Sequence, residues 1–149
     1  MILVTVSTGH FDPLISECSR LSDRYNFYGQ IGCSKVVPKF PYIKTLSQTS
    51  LNEKMREAEL VISHAGTGML TMLYKLQKKA IVIPKQIRYG ESNDGQIELA
   101  RKWSELGLAI LCMNVEDLSN AIERCKKIVP QFCQQPSLGA YLSTQVLHS

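Results

Sequence analysis

A histidine and two glycines lie in a short segment that follows residues 60–62, a continuous apolar run typical of a buried strand. The segment contains Ser63, His64, Ala65, Gly66, Thr67 and Gly68. Glycines directly before a helix let the backbone approach a ligand, and the unpaired amides of the first helical turn attract an anion. We therefore predict a strand-to-helix loop that binds the diphosphate of a nucleotide. A plain tight turn is the alternative, because short glycine patterns are also common in turns.

A second polar segment follows the apolar run at residues 1–6. It contains Ser7, Thr8, Gly9 and His10, which supply hydroxyls, amides and an imidazole. If residues 1–6 form a strand next to residues 60–62, both segments lie at the same edge of the sheet. His10 and His64 are then the candidate catalytic bases of this chain. For His64 the alternative is a structural hydrogen bond to the loop backbone.

A third polar segment follows an apolar run at residues 80–83. Within it, Asn93, Gln96 and Glu98 combine amide and carboxylate groups at the start of a predicted helix. Such groups suit the hydroxyls of a sugar, and we predict that they bind the donor. A capped helix on a polar loop is the alternative interpretation.

The elements that would position these segments alternate along the chain. Strands are predicted at residues 1–6, 26–31, 42–46, 60–62, 80–83 and 109–113. Helices are predicted after Asp12 and Pro13, after a capping box at Ser50, and at residues 68–76, 96–106 and 118–129. This alternation predicts an α/β fold, a Rossmann-like parallel sheet with helices on both faces.

The length of 149 residues suits one sugar-nucleotide-binding domain, which we place at residues 1–130. Residues 131–149 are predicted to be a C-terminal extension, with a helix near 138–147 that packs back or docks on a partner. The apolar start is too short for a signal sequence or a membrane span. We therefore expect a cytoplasmic chain that reaches a membrane only through a partner.

Composition excludes several classes of protein. A net charge of +4, from 17 Lys and Arg against 13 Asp and Glu, is too mild for a dedicated nucleic-acid binder. The three histidines lack a paired metal-ligand spacing, so no metal site is expected. Neither a dinucleotide fingerprint nor a Walker lysine accompanies the glycines. Five scattered cysteines without a C-x-x-C pair indicate a reduced compartment, with Cys18 and Cys125 on apolar helix faces.

Taken together, the segments at residues 4–15, 62–68 and 96–100 resemble the C-terminal domain of glycosyltransferase family 28. The order and spacing match over about residues 1–128. Within the family the chain is most similar to small stand-alone catalytic subunits, those of the eukaryotic two-subunit UDP-N-acetylglucosamine transferase and of bacterial exopolysaccharide synthesis. The resemblance implies the donor-binding half of a GT-B fold.

By this resemblance, the loop at residues 63–68 faces the diphosphate and sugar of a UDP-sugar, and Gln96 binds sugar hydroxyls. Ser7, Thr8 and Gly9 border the cleft between subunits. The implied reaction is inverting transfer of a hexose-type sugar to a lipid-linked acceptor, with a membrane-bound, acceptor-binding partner subunit. No cofactor and no obligatory metal are implied, because helix amides stabilise the leaving group.

Three positions depart from the family pattern. The family usually has glycine where Ser7 stands, an acidic residue that holds the ribose where Met72 stands, and histidine where Gly95 precedes Gln96. Loss of the acidic contact would weaken nucleotide binding. An alternative interpretation therefore stays open, in which the chain is a non-catalytic module that has a degenerate nucleotide site and only stabilises its partner. An unrelated flavodoxin-like domain is a third interpretation.

Overall fold

The computed structural model describes residues 1–7, 9–89 and 95–127. In this part of the chain the strands are β1 (Ile2–Thr5), β2 (Phe27–Gln30), β3 (Tyr42–Ile43), β4 (Leu60–Ser63), β5 (Ala80–Val82) and β6 (Ile110–Leu111). The helices are α1 (Asp12–Arg20), α2 (Gln48–Glu57), α3 (Thr67–Leu76), α4 (Gly95–Glu105) and α5 (Leu118–Lys126). Thr8, Asn93, the end of the helix predicted to reach 129 and the predicted extension at 131–149 lie outside the described residues.

The described strands form one parallel sheet in the order β3-β2-β1-β4-β5-β6. This confirms the α/β, Rossmann-like prediction. The order of strand addition reverses between β1 and β4, because the chain builds outward from β1 to β3 and then crosses back. Ligands of open α/β sheets bind beyond the carboxyl ends of the strands at such a reversal. The crevice between β1 and β4 is therefore the expected site.

Both faces of the sheet are covered, which explains the continuous apolar character of β1. Ile2 and Val4 pack into the cluster on the α1 and α5 side, whereas Leu3 packs into the cluster on the α2, α3 and α4 side. This alternation follows from the two-residue period of a strand. As predicted, Cys18 and Cys125 are buried on helix faces, and burial raises the pKa of both thiols.

Two predicted helix caps are wrong. At α1 the capping position is Phe11, and the Asp12 carboxylate instead accepts hydrogen bonds from the backbone amides of Lys35 (2.7 Å) and Val36 (2.9 Å). At α2 the cap is Ser47, whose hydroxyl oxygen accepts a 3.1 Å bond from the amide of Ser50. The helix thus begins earlier than the predicted capping box. At α1 a tertiary contact takes the Asp12 carboxylate away from the capping role, whereas at α2 a serine three residues earlier in the sequence caps the helix.

No helix within the described residues has the length and apolar character that a membrane span requires.

Candidate functional site

The three predicted polar segments follow strands that end at the same edge of the sheet. Thr5 is in register with Ser63, and Ser63 is in register with Val82, so β1, β4 and β5 end side by side. The structure therefore brings the loops after these three strands to one edge, at the β1–β4 crevice. This arrangement is the one that the sequence predicts.

The loop after β1 turns sharply at Ser7, whose φ is +57°. That left-handed conformation costs free energy for any residue with a Cβ, and glycine adopts it most readily. The buried Gln30 side chain holds the turn, because its amide nitrogen donates to the carbonyl of Ser7 at 2.7 Å. Thr5 donates to the side-chain oxygen of Gln30 at 2.6 Å. The turn is therefore a position where glycine, the residue expected here from the family resemblance, would fit without this cost.

Gly9 and His10 continue this loop towards α1. The carbonyl of Gly9 accepts a 2.9 Å bond from the amide of Cys33, which fixes the loop against the segment after β2. The residue Gly9 is half-buried, and His10 is exposed. His10 is thus available to solvent at the predicted edge, and its role as a catalytic base stays a prediction.

The first residues of the predicted donor loop, at the end of β4, are buried. The Ser63 side chain is fully buried, and its hydroxyl donates to the carbonyl of His64 at 3.0 Å. Ala65 is also buried, whereas Gly66 and Thr67 are half-buried and Gly68 is exposed. The accessible part of the predicted donor loop is therefore its end, where α3 begins.

The first turn of α3 offers backbone amides without a side-chain cap. Gly66 occupies the capping position with no side-chain bond, and the first turn holds no acidic residue. The first intrahelical bond runs from the amide of Leu70 to the carbonyl of Gly66, at 3.0 Å. The amides of residues 67–69 precede that bond, as in any helix start. Such a terminus attracts an anion.

His64 presents a neutral imidazole beside this terminus. Both ring nitrogens are shielded from solvent and form no hydrogen bond with any described residue. Burial, and then the positive charge of Lys85, lower the pKa of His64 from 6.5 to about 4. The Gln96 side chain raises the pKa, but its contribution is the smallest of the three and opposes this shift only in part. The ring therefore has one donor and one acceptor for a ligand.

Gln96 connects two of the converging loops. Its side-chain oxygen accepts hydrogen bonds from the amide of Ala65 at 3.1 Å and from the amide of Lys85 at 3.0 Å. The sequence predicted a contact to sugar hydroxyls, and the structure adds this second task. Gln96 thereby sets the position of the β4 loop relative to the end of β5.

Glu98 lies apart from these groups. It is exposed in the first turn of α4, beside Arg101 and Lys102 on the outer surface of that helix. It lies two positions after Gln96, which is a rotation of about 200° around the helix. The structure thus does not bring Glu98 to the side of α4 where Gln96 acts, and its role in donor binding stays a prediction.

Sequence reasoning placed Lys85 at this edge, as the first residue of the segment after β5, but assigned it no role in the site. The side chain is half-buried, and its ammonium lies 2.9 Å from the point where a Cβ on Gly9 would stand. The signal was present in the sequence, because Lys85 directly follows Pro84 at the end of a predicted strand. Only the three-dimensional placement shows that the charge lies between the β1 and β4 loops.

Solved structures share this architecture. The glycotransferase of kitacinnamycin matches with a TM-score of 0.60 and 16% identity, over 96% of this chain and 37% of that chain. The glycosyltransferase SnogD from Streptomyces nogalater matches with a TM-score of 0.55 and 16% identity, over 95% and 43%. The chain therefore has the fold of one half of a GT-B glycosyltransferase.

Sequence comparisons identify the family. The model of the glycosyltransferase family 28 C-terminal domain matches residues 18–136. The protein named UDP-N-acetylglucosamine transferase subunit ALG13 is 32% identical in Mus musculus, over 73% of this chain, and 34% identical in Homo sapiens, over 74%. The chain belongs to glycosyltransferase family 28, as its motifs predict. It spans about a tenth of the length of these two relatives.

Proposed function

We propose that this chain is the donor-binding subunit of a two-subunit inverting glycosyltransferase. It would transfer a hexose-type sugar from a UDP-sugar to a lipid-linked acceptor, in the synthesis of a polysaccharide or glycolipid. Membership of family 28 and the printed name of the two ALG13 relatives support a UDP-sugar donor. The subunit arrangement is supported by the printed name of these relatives, which calls each of them a subunit, and the fold of this chain corresponds to one half of a GT-B enzyme.

One observation carries the proposal. The uncapped start of α3 lies at the β1–β4 crevice beside His64, whose shielded ring nitrogens have no partner among the described residues. Buried polar atoms are normally hydrogen-bonded, so an unpartnered imidazole next to free amides fits an oxyanion ligand. A nucleoside diphosphate supplies such oxygens, and the sugar would extend towards Gln96.

In the proposed reaction, the acceptor hydroxyl attacks the anomeric carbon while the bond to the diphosphate oxygen breaks. The electron pair leaves with UDP, and a general base takes the proton of the hydroxyl. The amides of α3 stabilise the charge on the leaving group, so we propose that no metal is obligatory. A pKa near 4 makes His64 a weak base and suits it better to hydrogen bonding. A base on the partner subunit, or the exposed His10, would then accept the proton.

The acceptor half of the site would come from a membrane-bound partner subunit. A GT-B active site lies between two such halves, and this chain provides one of them. We propose that the partner recruits the chain to the cytoplasmic face of a membrane, where the lipid-linked acceptor is held.

Met72 favours one alternative, a module with a degenerate donor site that only stabilises its partner. Met72 stands where the family usually has the acidic residue that holds the ribose. Its half-buried side chain packs against the apolar cluster on the α2, α3 and α4 side. A site lacking this contact binds the nucleotide through fewer charge-assisted bonds.

Calorimetric titration with UDP, UDP-sugars and uridine tests donor binding, on the chain alone and with its partner subunit. We expect UDP to bind more tightly than uridine, because the diphosphate contacts the start of α3. Binding with sugar transfer in the complex, also in the presence of EDTA, supports the enzyme. Binding without transfer supports the module, and no UDP binding in either state contradicts the enzyme.

Substitution of Met72 tests the position of the ribose. Met72→Glu restores the acidic group of the family and should increase UDP affinity, since the carboxylate accepts from ribose hydroxyls. Met72→Gln is the matched control, because it has nearly the same size without the charge. Equal UDP affinity in the two variants would place the ribose elsewhere.

A further inference from the structure

Lys85 extends from one side of the crevice to the other. It leaves the carboxyl end of β5, and β4 lies between β5 and β1 in the sheet. Its ammonium nevertheless lies 2.9 Å from the position of a Cβ on Gly9, in the loop after β1. The side chain therefore passes over the end of β4, where the loop leading to α3 begins.

The same ammonium acts electrostatically on His64, which belongs to the loop after β4. Its positive charge is the second-largest cause, after burial, of the lowered pKa of that imidazole. Proximity to Gly9 on one side and electrostatic influence on His64 on the other place the charge at the β1–β4 crevice. A fixed cation there adds to the positive end of the α3 dipole.

We propose that Lys85 binds the diphosphate of the donor and stabilises the negative charge that develops on the departing UDP. This inference rests on the proposed function and names a residue that neither the sequence motifs nor the family assignment gives. As the bond from the anomeric carbon to the diphosphate oxygen breaks, the electron pair moves onto that oxygen. The ammonium of Lys85 donates a hydrogen bond to the diphosphate oxygens, and the acceptor's proton passes to the general base.

The backbone of Lys85 already performs the structural task at this position. Its amide donates to the side-chain oxygen of Gln96 at 3.0 Å, and that bond does not depend on the side chain. An ammonium has three donors, so it can bind phosphate oxygens together with other partners. Substitution of the side chain therefore separates the charge from the scaffold.

The test uses the full chain with UDP, inorganic pyrophosphate and uridine as probes, in calorimetric titrations. Lys85→Met should weaken UDP and pyrophosphate binding by roughly 10- to 100-fold, the range for a lost charged hydrogen bond. Uridine binding should not change. Lys85→Arg should retain most of the affinity, and the exposed Lys102→Met on α4 is the control for an equal loss of net charge.

A second readout reports the position of the ammonium without any nucleotide. The pKa of His64, measured by NMR titration, should rise in Lys85→Met and stay unchanged in Lys102→Met. Pyrophosphate should raise the pKa of His64 in the unsubstituted protein, because the added anion favours the imidazolium. A structural role for Lys85 alone would leave the pyrophosphate response intact in Lys85→Met.

The outcomes distinguish the two proposals. If the unsubstituted chain binds UDP and Lys85→Met binds it equally well, the inference about Lys85 is overturned and the proposed function stands. If the unsubstituted chain binds UDP neither alone nor with its partner subunit, the proposed function fails. In that case, if the unsubstituted chain binds pyrophosphate and Lys85→Met does not, Lys85 is still identified as an anion-binding residue. If the two bind pyrophosphate equally, or neither binds it, that role of Lys85 is overturned as well.

Discussion

Gly66 and the imidazole of His64 occupy one shared space. A Cβ on Gly66 would lie 2.5 Å from the Cε1 atom of His64 and 3.1 Å from its Nδ1 atom. Real Cβ atoms do not approach so closely, so any other residue at position 66 displaces the ring. Gly66 is therefore needed to keep the imidazole against the loop, in addition to giving a ligand access to the backbone.

Gly66→Ala should move His64 out of its shielded position. Because burial is the largest cause of the lowered pKa of His64, the pKa should shift from about 4 back towards 6.5. Titration of the imidazole protons by NMR measures this shift. UDP affinity should fall in parallel, since the ring would no longer lie beside the start of α3.

Gly68→Ala is the matched control for this substitution. An added Cβ at position 68 meets no atom within 4 Å, although the residue lies only two positions further along the same segment. The pKa of His64 should therefore stay near its unsubstituted value. The same pKa for His64 in both variants would show that Gly66 does not position the ring.

The positions of the loops could be predicted from the sequence, because strand alternation and the parallel arrangement follow from hydrophobic patterns. The functions of individual side chains were less predictable. The sequence predicts Ser63 as a donor-binding residue, whereas the structure buries its side chain at the end of β4. Asp12 suited a helix cap, but its carboxylate binds the amides of Lys35 and Val36 from a distant segment. Such tertiary partners are not encoded in local spacing.

Gln96 illustrates the same limit at the site. Its place at the start of a helix, and a family pattern, predicted a ligand contact. That its side-chain oxygen also joins Ala65 to Lys85 depends on the packing of three loops at one edge. Lys85 was given no role in the site for a related reason, since its reach across the end of β4 appears only once the strand order is known.

Gln96→Leu should reduce the free energy of unfolding by about 1–3 kcal/mol, because two backbone amides lose their acceptor. Urea unfolding measures the loss. Gln96→Glu retains an oxygen at this position and should remain close to the unsubstituted stability. If Gln96 served only to bind sugar hydroxyls, both variants would unfold at the same urea concentration as the unsubstituted protein.

His64 should make stability fall with acidification between pH 6.5 and about 4. Its pKa is lower in the folded than in the unfolded chain, so the unfolded state binds more protons in this window. The contribution of neutral His64 to the free energy of unfolding is complete above pH 6.5. It decreases by up to about 3 kcal/mol as the pH falls to the pKa that His64 has in the folded chain. Urea unfolding at several pH values measures this slope.

His64→Gln is the comparison that isolates this contribution from the carboxylates. Between pH 6.5 and pH 4, the free energy of unfolding should fall less in this variant than in the unsubstituted protein, because the part of the fall caused by the imidazole is missing. Parallel pH profiles for the variant and the unsubstituted protein would mean that His64 titrates normally in the folded chain.

Ser7→Gly should stabilise the fold, because Ser7 has a φ of +57° and glycine adopts that conformation without the steric cost of a Cβ. The gain is up to about 1 kcal/mol, after the greater chain entropy of glycine in the unfolded state is subtracted. Ser104→Gly, in the last turn of α4, is the control and should instead destabilise by up to about 0.5 kcal/mol, because glycine has a lower helix propensity than serine. Thermal unfolding of both variants gives the comparison. A shift of the same sign in both would mean that the turn at Ser7 is not strained, and the glycine common in the family would then need another explanation.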